Sequence, residues 1–146
     1  VGNNLIRHHL CKRVTDAGFN LVSLIHPSAV VSPKAKIAAG VVVMPRAVIN
    51  AWATLEEGVI VNTAAVVEHH CMLHAYSNLC PNVSLAGNVI VGEHTDIGIG
   101  SCAIQGMRIG AYSLIGAGSV IVNHVEDNIL AFGNPARPRR QLRSTA

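Results

Sequence analysis

From His26 to Ile121 the chain divides without a gap into sixteen six-residue units, and this period restricts the fold more than any other feature. The sixth position of the unit is Val, Ile or Leu in fifteen of the sixteen, with Ala103 the exception. The fourth position is usually small, as at Ala29, Ala35, Ala47, Ala53, Ala65, Ser77 and Ser101. An amphipathic helix would repeat its apolar positions every 3.6 residues, and a simple strand every two. A sustained period of six fits instead a coil with flat faces and a corner every six residues. The branched side chain at position six then points inward, and the small residue at position four fits the narrow space beside it. Pro27, Pro33, Pro45 and Pro81 all occupy position two, where a corner needs no ladder N–H. Gly40, Gly58, Gly100, Gly106 and Gly118 all occupy position three, where a turn tolerates unusual φ.

Composition agrees with a narrow core. Half the residues are apolar but only 3% are aromatic, so the interior is lined by short branched side chains. Charged residues make up 13%, too few residues of one character to suggest disorder. The net charge is +3, and Arg137, Arg139, Arg140 and Arg143 gather in the last ten residues as a solvated basic tail. Basic and aromatic residues do not interleave, which argues against a nucleic-acid partner. Cys11, Cys71, Cys80 and Cys102 form no C-x-x-C pair. With no signal peptide and no long apolar run, a reduced cytoplasmic protein without a membrane partner is expected.

The two ends differ from the repeat. Asn3 to Ala17 reads as a helix, capped by Asn3 or Asn4, carrying Leu5, Ile6, Leu10 and Val14 at helical spacing, and stopped by Gly18. Leu21 to Ile25 reads as a strand. A helix followed by a strand resembles the end of an α/β unit, so residues 1–25 are expected to be the remnant of an α/β domain. Residues 26–127 form the repeat domain, and 128–146 a tail with a turn at Gly133-Asn134-Pro135. The chain opens on Val1 and is expected to be the later part of a longer protein.

In proteins with this repeat, three hexads close one triangular coil. Residues 18 apart then stack at roughly 4.8 Å, the spacing between strands. The expected fold is all-β: a parallel β-helix of about five triangular coils. Its left-handed winding is taken from the resemblance, because parallel crossovers are otherwise right-handed. Stacking gives the mid-chain histidines a context. His69, at position two, lies 18 residues before Gly87, which therefore sits directly above it. A neutral imidazole is a natural general base, and the uncovered N–H of Gly87 is an oxyanion donor. The bland reading of a corner histidine is a solvated side chain. His74 stacks between Glu56 and Gly92, while Tyr76, His94 and Tyr112 form a column that reads as structural packing.

The segments Glu68-His69-His70-Cys71-Met72-Leu73, Ala86-Gly87-Asn88-Val89-Ile90-Val91-Gly92 and Gly133-Asn134-Pro135-Ala136-Arg137 resemble bacterial hexapeptide-repeat sugar acetyltransferases. The likeness is to the sialic-acid O-acetyltransferase and nucleotide-aminosugar N-acetyltransferase type, and it includes the Ile25-His26-Pro27-Ser28-Ala29 junction. It implies that residues 1–25 end a Rossmann-like sugar-nucleotide domain. It also implies a homotrimer holding acetyl-CoA between neighbouring β-helices, with no metal. The matching residues are His69 as base, Gly87 as thioester-oxygen donor, and Ile99, Gly116 and Ala117 as coenzyme contacts. Two positions depart from the family. An acid usually follows the base and orients it, and here that position is His70, which leaves the base weaker or oriented by another group such as Glu68. A second family histidine, near the acetyl group, is matched by Asn78.

Two other readings stand beside this one. His69 and His74 have the His-x4-His spacing of γ-type carbonic anhydrases, but a zinc site needs about three protein ligands. No histidine lies between His26 and His69 to supply another. A non-catalytic trimeric scaffold is the remaining alternative.

Overall fold

The computed structural model describes residues 1–142, so Arg143 of the basic tail lies outside the described residues. After the helix α1 (Asn4–Asp16), two-residue strands occur at positions five and six of successive hexads, from β1 (Leu24–Ile25) to β17 (Val120–Ile121). They assemble into three parallel sheets, each taking every third strand. In the first sheet Ile25 pairs with Val43, Val43 with Val61, Val61 with Leu79, and Leu79 with Ile97. In the second, Ile49 pairs with Val67 and Val67 with Leu85. In the third, Leu55 pairs with Leu73 and Leu73 with Val91. Every step is 18 residues, which is the triangular coil expected from other proteins with this repeat. The hexad before His26 also contributes a strand to the first sheet, and the stack makes nearly six turns.

The core is the column of sixth-position side chains. Val43, Ile49, Leu55, Val61, Val67, Leu73, Leu79, Leu85, Val91, Ile97, Ile109, Ile115 and Ile121 are all fully buried. Ala103, the exception in the repeat, is buried with them. Small fourth-position residues fill the space between, and the hydroxyls of Thr95, Ser101, Ser113 and Ser119 bond to corner carbonyls. Thr95 Oγ1 donates to the Gly110 carbonyl at 2.6 Å, and Ser101 Oγ to that of Gly116 at 3.0 Å.

The corners show a rule that the glycines only hinted at. From Gly40 to Gly118 every third-position residue has positive φ, between 53° and 75°, whether or not it is glycine. Trp52, His70, Tyr76, His94 and Tyr112 all adopt a conformation that L-residues usually avoid. From Gly58 to Gly118 a hydrogen bond offsets the strain at each of these turns. The third-position N–H donates to the second-position carbonyl one coil earlier, as from Ala64 to Pro45 at 3.0 Å and from Asn88 to His69 at 2.9 Å. Third-position side chains consequently stack in columns along the edges of the prism.

Helix α1 is capped by Asn3, whose side chain accepts from the Ile6 N–H at 2.9 Å, and it ends before Gly18. Its apolar residues Leu5, Ile6, Leu10 and Val14 are exposed. The docking face is polar. Arg7 Nε donates to the Gly58 carbonyl at 2.8 Å and Nη2 to the Tyr76 carbonyl at 2.7 Å. Asn4 Nδ2 donates to the His94 carbonyl at 3.1 Å. His8 slots against the Tyr76, His94 and Tyr112 column, stacked on Tyr76 at 4.2 Å.

The segment from Asn128 forms a hairpin. Strand β18 (Ile129–Gly133) extends the first sheet beyond Leu114–Ile115, and β19 (Ala136–Gln141) pairs antiparallel with it. Ile129, Ala131 and Ala136 turn inward, giving this segment an apolar face of its own.

Candidate active site

His69 and His70 lie at the corner between the second and third sheets, after Val67 and before Met72. Both are exposed. Their rings meet edge to face, 5.3 Å between centroids and 84° between planes, with the two Nδ1 atoms 3.1 Å apart. One of those nitrogens must carry the hydrogen and the other accept it. The arrangement in which His69 donates leaves a lone pair on His69 Nε2.

Gly87 covers His69 as the stacking predicts. A Cβ added at Gly87 would lie 2.6 Å from His69 Nε2, so only glycine leaves room for the imidazole in this position. The Gly87 N–H has no hydrogen-bond partner among the described residues. Second-position N–H groups are commonly free in this fold. Gly87 is distinguished by having no side chain and an imidazole against it.

The partner of His69 is therefore His70 and not Glu68. His70 is in turn stacked on Trp52, 4.9 Å between centroids, and Lys34 lies over the other face of the indole at 4.7 Å. Neither residue stands out in the sequence by itself. Counting back 18 from His70, then 18 again, would have found both. Cys71, two residues after His69, is not a nucleophile. Its thiol turns inward to the Ala86 carbonyl, and burial pushes it up to about 11.

The other expected residues lie elsewhere on the chain. Ile99 and Ala117 are exposed on the corner between the first and second sheets, a different edge of the prism from His69. Gly116 is at the same corner, and a Cβ there would meet Phe132 Cβ of the hairpin at 2.7 Å. Its lack of a side chain thus has a packing reason too. Asn78 is on the first sheet, buried beside the α1 clamp, and Nδ2 donates to Asp96 at 2.7 Å. Burial raises the Asp96 carboxyl above its usual range, and the Asn78 bond opposes this. Within one chain Asn78 does not face the His69 corner. His74 Nδ1 is 3.2 Å from Glu56 Oε2, at the edge of a 280 Å³ cleft that also includes Arg108 and Asp127. Among the described residues no three His, Cys, Asp or Glu side chains gather as metal ligands would.

No protein-family model matches the chain. A segment is 45% identical over 51 residues to a dTDP-3-amino-3,6-dideoxy-alpha-D-galactopyranose 3-N-acetyltransferase of Aneurinibacillus thermoaerophilus, spanning 35% of this chain and 27% of that protein. The chain thus matches about a quarter of the length of this curated relative. Solved structures match far more of it. The acetyltransferase domain of PglB from Neisseria gonorrhoeae is 46% identical, covering 95% of this chain and 68% of that one, with a TM-score of 0.94. PerB from Caulobacter crescentus, solved with CoA and GDP-perosamine, is 44% identical, covering 96% and 68%, with a TM-score of 0.95. The fold matches the left-handed β-helices of such acetyltransferases. With similarity at this level across nearly its whole length, the chain belongs to the hexapeptide-repeat sugar acetyltransferase family.

Proposed function

We propose that the protein transfers the acetyl group of acetyl-CoA to an amino group of a nucleotide-linked sugar, with His69 as general base. The observation that carries this reading is the His69 imidazole lying directly against Gly87, whose N–H has no partner among the described residues. His69 Nε2 takes a proton from the acceptor amine as its nitrogen attacks the thioester carbonyl. The Gly87 N–H stabilises the oxygen of the tetrahedral intermediate. The intermediate then expels the CoA thiolate, which the His69 imidazolium can protonate. The crystal structure of PerB with CoA and GDP-perosamine supports this choice of donor and acceptor.

The coenzyme contacts assigned to Ile99, Gly116 and Ala117 require a second chain, because their corner is not the His69 corner. A homotrimer meets that need by setting one corner of each chain beside a different corner of its neighbour. The outward ladder of the second sheet supports such contact, apolar at Val30, Val48, Val66, Cys102 and Val120 and interrupted by Ser84. Residues 1–25 are read as the end of the domain that holds the nucleotide of the acceptor. A cytoplasmic location follows from the use of acetyl-CoA. Among the described residues no helix is long and apolar enough to cross a membrane.

The test combines calorimetry with turnover of GDP-perosamine and acetyl-CoA. Acetyl-CoA is expected to bind at one site per subunit. His69→Ala is expected to keep that binding and lose ~10²-fold or more in turnover. Unchanged turnover in His69→Ala would remove the base from the reading.

A further inference from the structure

The His69 corner carries one more aromatic side chain than a base and its partner need. Trp52 stacks on His70 with 24° between the ring planes, and Lys34 covers its other face. With both faces occupied, the indole is not a free platform for a ligand ring. It is also 52% exposed, so it adds little to the core, and its backbone sits at a strained φ of 60°. The indole lies against the plane of the His70 imidazole.

That plane matters because the Nδ1 lone pair of an imidazole lies in it. His70 Nδ1 is aimed at His69 Nδ1 across 3.1 Å. In water a histidine favours its hydrogen on Nε2, which would leave His69 without a lone pair beside Gly87. The hydrogen bond made by one ring nitrogen decides the state of the other. We infer that Trp52 is a positioning residue for the general base. By holding the His70 ring it turns the His70 Nδ1 lone pair towards His69. This keeps the His69 hydrogen on Nδ1 and frees Nε2 towards Gly87. His70 itself then carries its hydrogen on Nε2. A stacked imidazole thereby supplies the orientation that a carboxylate can supply to a catalytic histidine. The inference rests on His69 being the base proposed above.

Long-range proton–nitrogen correlation spectra of the nitrogen-15-labelled full chain in alkaline buffer read the tautomer directly. His69→Ala and His70→Ala assign the signals. Wild-type His69 is expected to carry its hydrogen on Nδ1. Trp52→Leu is expected to shift His69 towards the Nε2–H form, and Trp52→Phe, which keeps a flat ring, to restore it. With GDP-perosamine as acceptor, Trp52→Leu is expected to lower kcat about tenfold with KM for acetyl-CoA unchanged. Thermal melts confirm that each variant is folded. An Nε2–H tautomer in wild-type His69, or a Trp52→Leu variant with wild-type tautomer and kcat, would overturn the inference. Loss of turnover in His69→Ala alone would leave the base standing and remove only Trp52. Retained turnover in His69→Ala would remove both.

Discussion

Gly87→Ala separates the chemistry from the fold. The backbone at Gly87 is not in the left-handed region, so alanine can adopt it. The new Cβ would nevertheless lie 2.6 Å from His69 Nε2 and 3.1 Å from Nδ1. Carbon atoms in contact normally sit about 3.5–4.0 Å apart. The imidazole must therefore retreat by about 1 Å, and a shift of that size in a reacting group can lower a rate ~10²-fold. The ring is exposed and can swing outward without disturbing the core. Glycine-to-alanine replacement at a compatible site even stabilises by about 0.4–1 kcal/mol, by restricting the unfolded chain. The expected variant melts at or slightly above the wild-type temperature, binds acetyl-CoA normally, and turns over about a hundredfold more slowly. Gly92→Ala is the contrasting control. There the Cβ meets backbone, 2.6 Å from Ala111 Cα, and backbone cannot swing away, so about 1–3 kcal/mol of stability is lost. The assay is thiol release from acetyl-CoA with GDP-perosamine present, beside thermal melts of both variants. A Gly87→Ala enzyme with wild-type turnover would refute the placement of His69 beneath residue 87 during reaction.

Two further expectations concern the α1 clamp. Arg7 is 6% exposed and bridges the Gly58 and Tyr76 carbonyls, so Arg7→Ala should cost about 2–4 kcal/mol locally. Hydrogen exchange should then speed up in α1 and not in the coils, and Arg7→Lys should restore little because an ammonium has no planar fork. Protection of α1 unchanged in Arg7→Ala would refute this. His94 is expected to make the clamp acid-sensitive. Burial and then His8, with Nδ1 3.2 Å from His94 Nε2, hold His94 below the ordinary histidine value, helped by Arg7 and opposed by Glu93. Tyr76 and Tyr112 flank its ring. A histidine depressed in the folded state binds more protons when unfolded. Its contribution is therefore complete above the usual value of about 6.5 and is lost as pH falls through the lower folded one. The melting temperature should drop between about pH 7 and pH 5, and His94→Gln should flatten that drop. Parallel wild-type and variant curves would contradict it.

The coil was legible because its signal is local and repeated. One sixth-position side chain in each hexad reports the inward direction, and the 18-residue step follows from three hexads per turn. The same arithmetic placed Gly87 over His69 and Glu56 beside His74. The helix was also legible, but its docking face was not. Leu5, Ile6, Leu10 and Val14 suggest an apolar contact, whereas α1 is held by Asn4, Arg7 and His8 through single long-range contacts with carbonyls and rings. Nothing periodic marks such contacts. Likewise only the turn of the hairpin after Asn128 was legible, because Ala136–Gln141 carries a Pro and three Arg and does not read as a strand. Trp52 lay within reach, since the stacking that pairs His69 with Gly87 also pairs Trp52 with His70.

A column of parallel strands in constant register could in principle extend from one molecule into the next, as a fibril does. The hairpin bears on this hazard. Beyond Leu114–Ile115 the first sheet ends in β19, which runs antiparallel and carries Pro138, Arg139 and Arg140. An incoming chain that offered its own Leu24–Ile25 strand would face reversed polarity, a missing N–H and like-signed guanidinium groups. The third sheet finishes at a single bridge from Ile109 to Val125. Deleting the hairpin should therefore do more than shorten the protein. It would open the Leu114–Ile115 edge of the first sheet to pairing with an incoming parallel strand.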